Sequence, residues 1–280
     1  MIFADLHVHS TASKRPSEWF LKKVGARESY TDIETLYWTA KNENMDFVTV
    51  TDHNTIENAL TLHEKHPDDT FISVEVTSYF PENGCKIHLL VYDITAVQFD
   101  IIDTIRKDIY QLREFLTDQN LAHSVAHATY SINKRLTMEV LEKLILLFDV
   151  FEGLNGARNR LYSETWVKTL KNLTPEIIDT LKAKHSIEPI SEDPWIKGFT
   201  GGSDDHAGLF IGQTYTTAVC SSKKELIEHI KNKKTLCEGR CNDYKSFAFS
   251  IYKIFCDYSR ANHNKSGDSI TEMIHNTLFT

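Results

Sequence analysis

Residues 5–9 read Asp-Leu-His-Val-His, directly after an apolar start, Met1-Ile2-Phe3-Ala4. A strand alternates its side chains between two faces, so Asp5, His7 and His9 are expected to point the same way. Two imidazoles side by side at the end of a buried strand are costly unless something binds them, and a divalent cation is the usual partner. One His-x-His is weakly specific. Its force comes from other segments in which a short β-prone run meets a His, Asp or Glu. Met45 to Val50 leads into Thr51-Asp52-His53-Asn54, Thr70 to Val74 into Glu75, and Ser124-Val125-Ala126 into His127. Phe148 to Phe151 leads into Glu152, and Phe199 to Ser203 into Asp204-Asp205-His206, while His88 sits within the run Cys85 to Val91.

Strand-like runs near residues 2–6, 46–51, 70–76, 86–91, 122–127, 148–152 and 197–203 alternate with helical patterns. The helices are expected over 31–44, 54–66, 99–119, 137–147, 157–171, 174–184 and 222–231. Several of them open on capping residues, such as Thr174-Pro175 and Ser222. Alternation of this kind implies an α/β fold of parallel strands with crossover helices. In a parallel barrel the strand C-terminal ends share one face, so the His, Asp and Glu residues would converge on one mouth. The barrel is expected to fill residues 1–240. Residues 241–280 form an extension, with an amphipathic helix over 244–260 and a polar tail from Asn262.

The net charge of -8 argues against nucleic acid as a partner. No apolar run is long enough to span a membrane, and Asp5 and His7 interrupt any leader-like stretch at the start. Five scattered cysteines suggest reduced thiols and a cytoplasmic setting. Cys237 and Cys241 lack the second close pair that a structural zinc site needs. The oligomeric state is not legible.

Taken together, these motifs resemble the polymerase and histidinol phosphatase (PHP) family of metal-dependent phosphoesterases. The matching pieces are Asp5-Leu6-His7-Val8-His9-Ser10, Thr51-Asp52-His53-Asn54, Glu75, His88, Ala126-His127 and Gly202-Ser203-Asp204-Asp205-His206. The resemblance implies a distorted seven-stranded (β/α)7 barrel with two to three divalent metals at its mouth, manganese, zinc or iron. It places His7, His9, Glu75 and Asp204 on one ion, and makes Glu75 a bridge to a second held by His88 and His127. His53 and His206 would hold a third. One departure stands out. The family commonly has an acidic residue or histidine shortly after the first motif, and here Ser13 is followed by Lys14. A protonated lysine has no lone pair to offer a metal. Glu18 could take that place, the third ion could bind weakly, or Lys14 could contact phosphate directly.

The implied chemistry is that of a small-molecule phosphatase or phosphodiesterase, hydrolysis of a phosphorylated substrate by a hydroxide shared between cations, which lower the pKa of water and neutralise phosphoryl charge. Asp52 and His206 are the candidate proton carriers. Lys14, Arg15 and Arg158 are the candidate phosphate holders. Asp5 is expected to orient a ligand imidazole, and Glu152 is balanced between a structural and a site role. The competing readings are amide hydrolysis, nuclease action and a degenerate regulatory module that has lost activity.

Overall fold

The computed structural model describes residues 1–14, 23 and 25–262. Arg15, Glu18 and the polar tail beyond residue 262 lie outside the described residues. Nine strands and nine helices are present among those described. The strands form two mixed sheets. In the first, β1 (Ile2–Asp5) lies between β2 (Phe47–Val48), parallel to it, and β8 (Thr214–Ala218), antiparallel to it, with β9 (Leu236–Gly239) beyond β8. The second sheet runs β3 (Ser73–Tyr79), β4 (Lys86–Tyr92), β5 (Ala122–Val125), β6 (Val150–Asn155), β7 (Gly198–Gly202).

The expectation of all-parallel strands is corrected here. β4 is antiparallel to both β3 and β5, and only β5–β6–β7 run parallel in that sheet. Residues 80–85 are too few to carry a crossover, so β3 and β4 form a hairpin paired from Ser73↔Tyr92 to Tyr79↔Lys86. β8 and β9 add two strands that the sequence reading did not expect. The two sheets meet through short bridges, Val8↔Asp205 on one side and Val48↔Thr70 and His53↔Glu75 on the other, without closing into one continuous ladder.

The helices follow their caps closely. α5 (Met138–Leu147), α7 (Pro175–His185) and α8 (Lys223–Lys231) start after Thr137, Thr174 and Ser222, whose side chains accept from backbone N–H groups of the first turn. α1 (Ile33–Asn42), α2 (Glu57–Lys65) and α6 (Arg160–Lys171) stand where the pattern put helices. The helix expected over 99–119 is two, α3 (Ala96–Ile105) and α4 (Ile109–Asp118). Asp108 divides them, because its carboxylate accepts from the N–H groups of Tyr110 and Gln111 and starts α4 afresh. α9 (Tyr244–Asn262) buries Ile254 beside Ala26 and Ala207.

The apolar core packs directly behind the strands that carry the polar mouth. Val74, Val76, Leu89, Val91, Val125 and Phe151 are fully buried in one cluster with Leu112, Leu116 and Leu144 from the helices. Close packing of this kind leaves few voids into which the strands could shift. Gly202 shows how tight the approach is at the mouth, since a Cβ there would fall 2.3 Å from the Cβ of His7. No described helix is long and apolar enough to cross a membrane.

Candidate metal centre

The segment after β1 runs beside the segment after β7. Asp204 N–H donates to the carbonyl of His7 (2.6 Å) and His9 N–H to that of Asp205 (3.0 Å). These bonds bring the two histidines against Asp204. On the other flank, Asn54 N–H donates to the carbonyl of Glu75 (2.9 Å), which sets His53 against Glu75. The β3–β4 hairpin then carries His88 to the same carboxylate, and the end of β5 delivers His127.

Glu75 is the hub. Its Oε1 lies 2.7 Å from His88 Nδ1 and 3.1 Å from His127 Nε2. Its Oε2 lies 2.8 Å from His53 Nδ1, 3.3 Å from His9 Nε2 and 3.4 Å from His7 Nε2. Asp204 Oδ1 lies 3.4 Å from the Nε2 atoms of both His7 and His9. His206 stacks on His9 with ring centroids 4.1 Å apart. Among the described residues, four overlapping groups of ligand atoms could hold a cation: His7, His9 and Glu75; His7, His127 and Asp204; His53, Glu75 and His88; His9, His53 and His206.

Apart from the hydrogen bond between His127 Nε2 and Glu75 Oε1, closeness here is not hydrogen bonding. His7 Nε2, His9 Nε2, His53 Nδ1, His88 Nδ1, His206 Nε2 and Glu75 Oε2 are all buried, and among the described residues none has a hydrogen-bond partner of acceptable geometry. Buried polar atoms left this way ordinarily cost ~1–3 kcal/mol each. Several lone pairs aimed inward at shared points are what a bound cation would satisfy. The donors present, imidazole nitrogens and carboxylate oxygens, suit manganese, iron or zinc.

The surrounding shell fixes ring orientations. His7 Nδ1 lies 2.8 Å from Glu152 Oε1, which leaves Nε2 to face the hub. Glu152 Oε2 also accepts from His127 N–H (2.7 Å) and from the Asn155 amide (2.9 Å). Ser13 Oγ stands 3.1 Å from His9 Nδ1 and donates to Asp52 (2.7 Å). Asp52 further accepts from the backbone and hydroxyl of Ser10. Among the described residues Asp5 makes no hydrogen bond to an imidazole ring; it accepts from the N–H groups of Ser203, Gly212 and His7, and burial pushes its carboxyl up to about 6. Asp205 points away from the hub and accepts from the N–H groups of residues 207–210. His127 (φ 28°) and Asp204 (φ 51°) sit in left-handed backbone that side chains other than glycine adopt at a cost of ~1–3 kcal/mol.

Charge is tightly coupled across the cluster. Burial pushes the Glu75 carboxyl up, but the imidazoles of His53, His88 and His7 outweigh it and hold it well below the usual carboxylate range. Burial likewise raises Asp204, and His7 and Arg158 more than reverse this. Burial lowers His7, and Asp204, Glu152 and Glu75 overcome that, leaving it well above its ordinary value. His88 and His206 go the other way, pushed down to about 4 by burial. The imidazoles of the cluster are thus shifted in opposite directions, because neighbouring rings and carboxylates compete for the same charge.

The residue missed by the sequence reading is Glu28. Its Oε2 is 3.2 Å from His53 Nε2 and its Oε1 is 3.7 Å from His206 Nε2. It is buried, and those imidazoles hold its carboxyl below the ordinary range against the upward push of burial. Its backbone is tied in by Glu28 N–H donating to the Ser13 carbonyl (3.1 Å). Nothing in the local run Arg27-Glu28-Ser29 signals this. Lys14 is exposed instead, with its amine 3.7 Å from Glu57 on α2. Arg158 joins the cluster, with Nη2 3.4 Å from Asp204 Oδ2 and its guanidinium 3.8 Å above the Tyr130 ring.

No family model matches the chain, and no curated protein does. Solved structures do. PsfC from Pseudomonas syringae PB-5123 aligns with a TM-score of 0.52 at 14% identity, covering 92% of this chain and 98% of that one. A two-domain protein from Bacteroides vulgatus ATCC 8482, containing a predicted PHP-like metal-dependent phosphoesterase, aligns with a TM-score of 0.52 at 11% identity, covering 90% and 69%. The likeness is one of fold. At such identities it leaves the chemistry to be argued from the site.

Proposed function

We propose that the chain is a divalent-metal-dependent phosphoesterase acting on a small phosphorylated substrate. The observation that carries this is the ring of buried imidazole and carboxylate atoms around Glu75 that lack hydrogen-bond partners among the described residues. The reading assigns His7, His9, Glu75 and Asp204 to one ion, His88 and His127 with Glu75 to a second, and His53 and His206 to a third. Glu28 replaces the ligand expected after the first motif. When bound, such ions would lower the pKa of water and offset negative charge on the phosphoryl oxygens.

The protein's own groups do the rest. Glu152 and the Asp52–Ser13 pair hold His7 and His9 with Nε2 directed at the hub. That makes Asp52 a positioning residue rather than a proton carrier, since its carboxylate is already engaged by Ser10 and Ser13. Arg158 holds a phosphoryl oxygen at the edge of the hub, where its guanidinium already meets a carboxylate. His206 is kept as a ligand at the rim, so the departing alkoxide takes its proton from water. Overall, a P–O bond breaks, water adds to phosphorus, and an alcohol and inorganic phosphate leave.

Elemental analysis paired with phosphate release from a panel of esters tests this. His7→Ala/His9→Ala should lose both bound metal and hydrolysis. Full activity in that variant would refute the proposal. Ammonia or carboxylate release from amides, with no phosphate from any ester, would replace it with the amide-hydrolase reading.

A further inference from the structure

The ligands of the cluster are not all held alike. Glu75 lies in β3 and His88 in β4, while His7 and His127 stand two residues beyond β1 and β5. Glu28 and His206 stand in irregular segments, one before α1 and the other between β7 and β8. Glu28 N–H is tied to the Ser13 carbonyl (3.1 Å), and His206 follows the Val8↔Asp205 bridge. Those bonds hold one side of each segment. The other side of both is packed against α9.

Ile254 of α9 is buried in a small cluster with Ala26 and Ala207, and Tyr30, Leu209 and Tyr258 pack against it. This cluster is separate from the two larger ones that back the strands. Ala26 precedes Glu28 by two residues, and Ala207 directly follows His206. One apolar side chain therefore touches both segments that deliver ligands to the third ion. Glu28, Asp204 and His206 also line a small space of about 70 Å³ together with Phe247, Ile251 and Ile254. The helix is anchored at its start, where Asn242 N–H donates to the Gly156 carbonyl (2.6 Å) and Asp243 accepts from the N–H groups of Lys245 and Ser246. Ile254 then seats its middle on the two ligand segments.

We infer that Ile254 is a positioning residue for the third cation, acting through Ala26 and Ala207 on Glu28 and His206, so that docking of α9 and binding of that ion strengthen each other. The coupling is reciprocal, because an ion that binds more tightly with α9 docked must also favour the docked helix. The inference rests on the assignment of His53, His206 and Glu28 to a third ion, and not on which ester is hydrolysed.

The first readout is a manganese titration followed by the electron paramagnetic resonance signal of the free ion, which counts bound ions and ranks their affinities. Wild type should bind three, and Glu28→Gln identifies the third by weakening it. Ile254→Ala should lower the affinity for that same ion about 10–100-fold, as loss of an orienting partner does, and leave the other two within about twofold. Ile254→Val keeps most of the packing and should restore most of the affinity. Phe255→Ala, at an exposed position of the same helix, should change none of the three. Fewer than three ions in wild type, an equal loss of all three in Ile254→Ala, or no loss at all overturns the inference.

The second readout is amide hydrogen exchange along α9, which needs no substitution in its first arm. Manganese should slow exchange of the α9 amides in wild type, and this slowing should vanish in Glu28→Gln. Exchange that is the same with and without manganese overturns the coupling even where Ile254→Ala does not fold. Phosphate release from a panel of esters separates the inference from the phosphoesterase reading. Three bound ions with the expected Ile254 effect, and no ester hydrolysed, support the coupling and sink the phosphoesterase reading. Hydrolysis by a wild type that binds only two ions does the reverse.

Discussion

Strands β6 and β7 carry buried charge at both ends, and the two ends are built differently. At their starts, Lys197 donates to the carbonyls of Ile145 (2.7 Å) and Phe148 (2.8 Å) and to Asp149 (3.0 Å). Those three acceptors match the three donors of an ammonium group. Further along, Glu152 holds His7 Nδ1, and the Nε2 atoms of His7 and His9 converge on Glu75 and Asp204 without completing hydrogen bonds. Burial and charge alone therefore do not mark a functional site. One end has satisfied its polar atoms internally and is structural. The other has left them turned toward shared points, at a cost that a cation would offset.

The largest effect should come from breaking the unsatisfied end at its hub. Glu75→Gln removes the charge that every neighbouring imidazole faces. It should cut kcat/KM on the order of a thousandfold, corresponding to the several kcal/mol that cation chemistry contributes to a phosphoryl transition state. Metal content per folded chain should fall with it. Retained metal and activity would mean that the hub is as structural as the Lys197 end.

Next comes the satisfied end. Lys197→Met leaves Asp149 with Ser191 and the more distant Lys233, 3.5 Å away, and should cost about 3 kcal/mol in urea unfolding. Metal bound per folded chain should not change. Lys197→Met/Asp149→Leu should recover much of the loss, because a buried ion pair exchanged for apolar packing is often near neutral. A loss of metal in Lys197→Met would break the proposed division of the two ends.

A smaller effect is expected where the unsatisfied end is held in place. Glu152→Gln keeps the shape but weakens the grip on His7 Nδ1 and on the His127 backbone. Loss of such an orienting partner typically lowers metal affinity about 10–100-fold. Competition titration with a chelator reads this directly, and an unchanged affinity would show that backbone packing alone orients the rings.

The two ends also differ in how legible they were from sequence. His7, His9, His53, Glu75, His88, His127, Asp204 and His206 were all readable because each interrupts or ends a β-prone run, and the structure does bring them together. Glu28 was not. It reaches the site through a loop whose course depends on backbone bonds to Ser13, and loops carry no periodicity. Strand alternation suggests crossovers and so conceals the antiparallel β4, although the short connection at 80–85 calls for a hairpin. β8 was missed for a different reason. Thr214-Tyr215-Thr216-Thr217 is β-prone, but it lies beyond the last motif and ends on no candidate ligand. The Lys197–Asp149 pair left no trace at all, since its partners are mostly backbone carbonyls brought close only by the fold.

The smallest effect separates the ends by pH. Burial pushes the Asp149 carboxyl up, but the charges of Lys197 and Lys233 outweigh this, so its folded pKa lies below the ordinary value of 3.8. A group shifted down in the folded state stabilises above its unfolded pKa, and that contribution is lost as pH falls through the folded one. Asp149→Asn should therefore be less stable than wild type near neutrality, and the gap should narrow as pH drops below about 4. The narrowing should be the same with excess chelator as with manganese, because this end of β6 does not sense the hub. Acid acts on the hub by another route, since protons compete with cations for the same imidazoles and carboxylates. If the Asp149→Asn gap depended on metal, the two ends would be coupled through β6 and β7, and the distinction between a satisfied and an unsatisfied cluster would no longer separate structure from function.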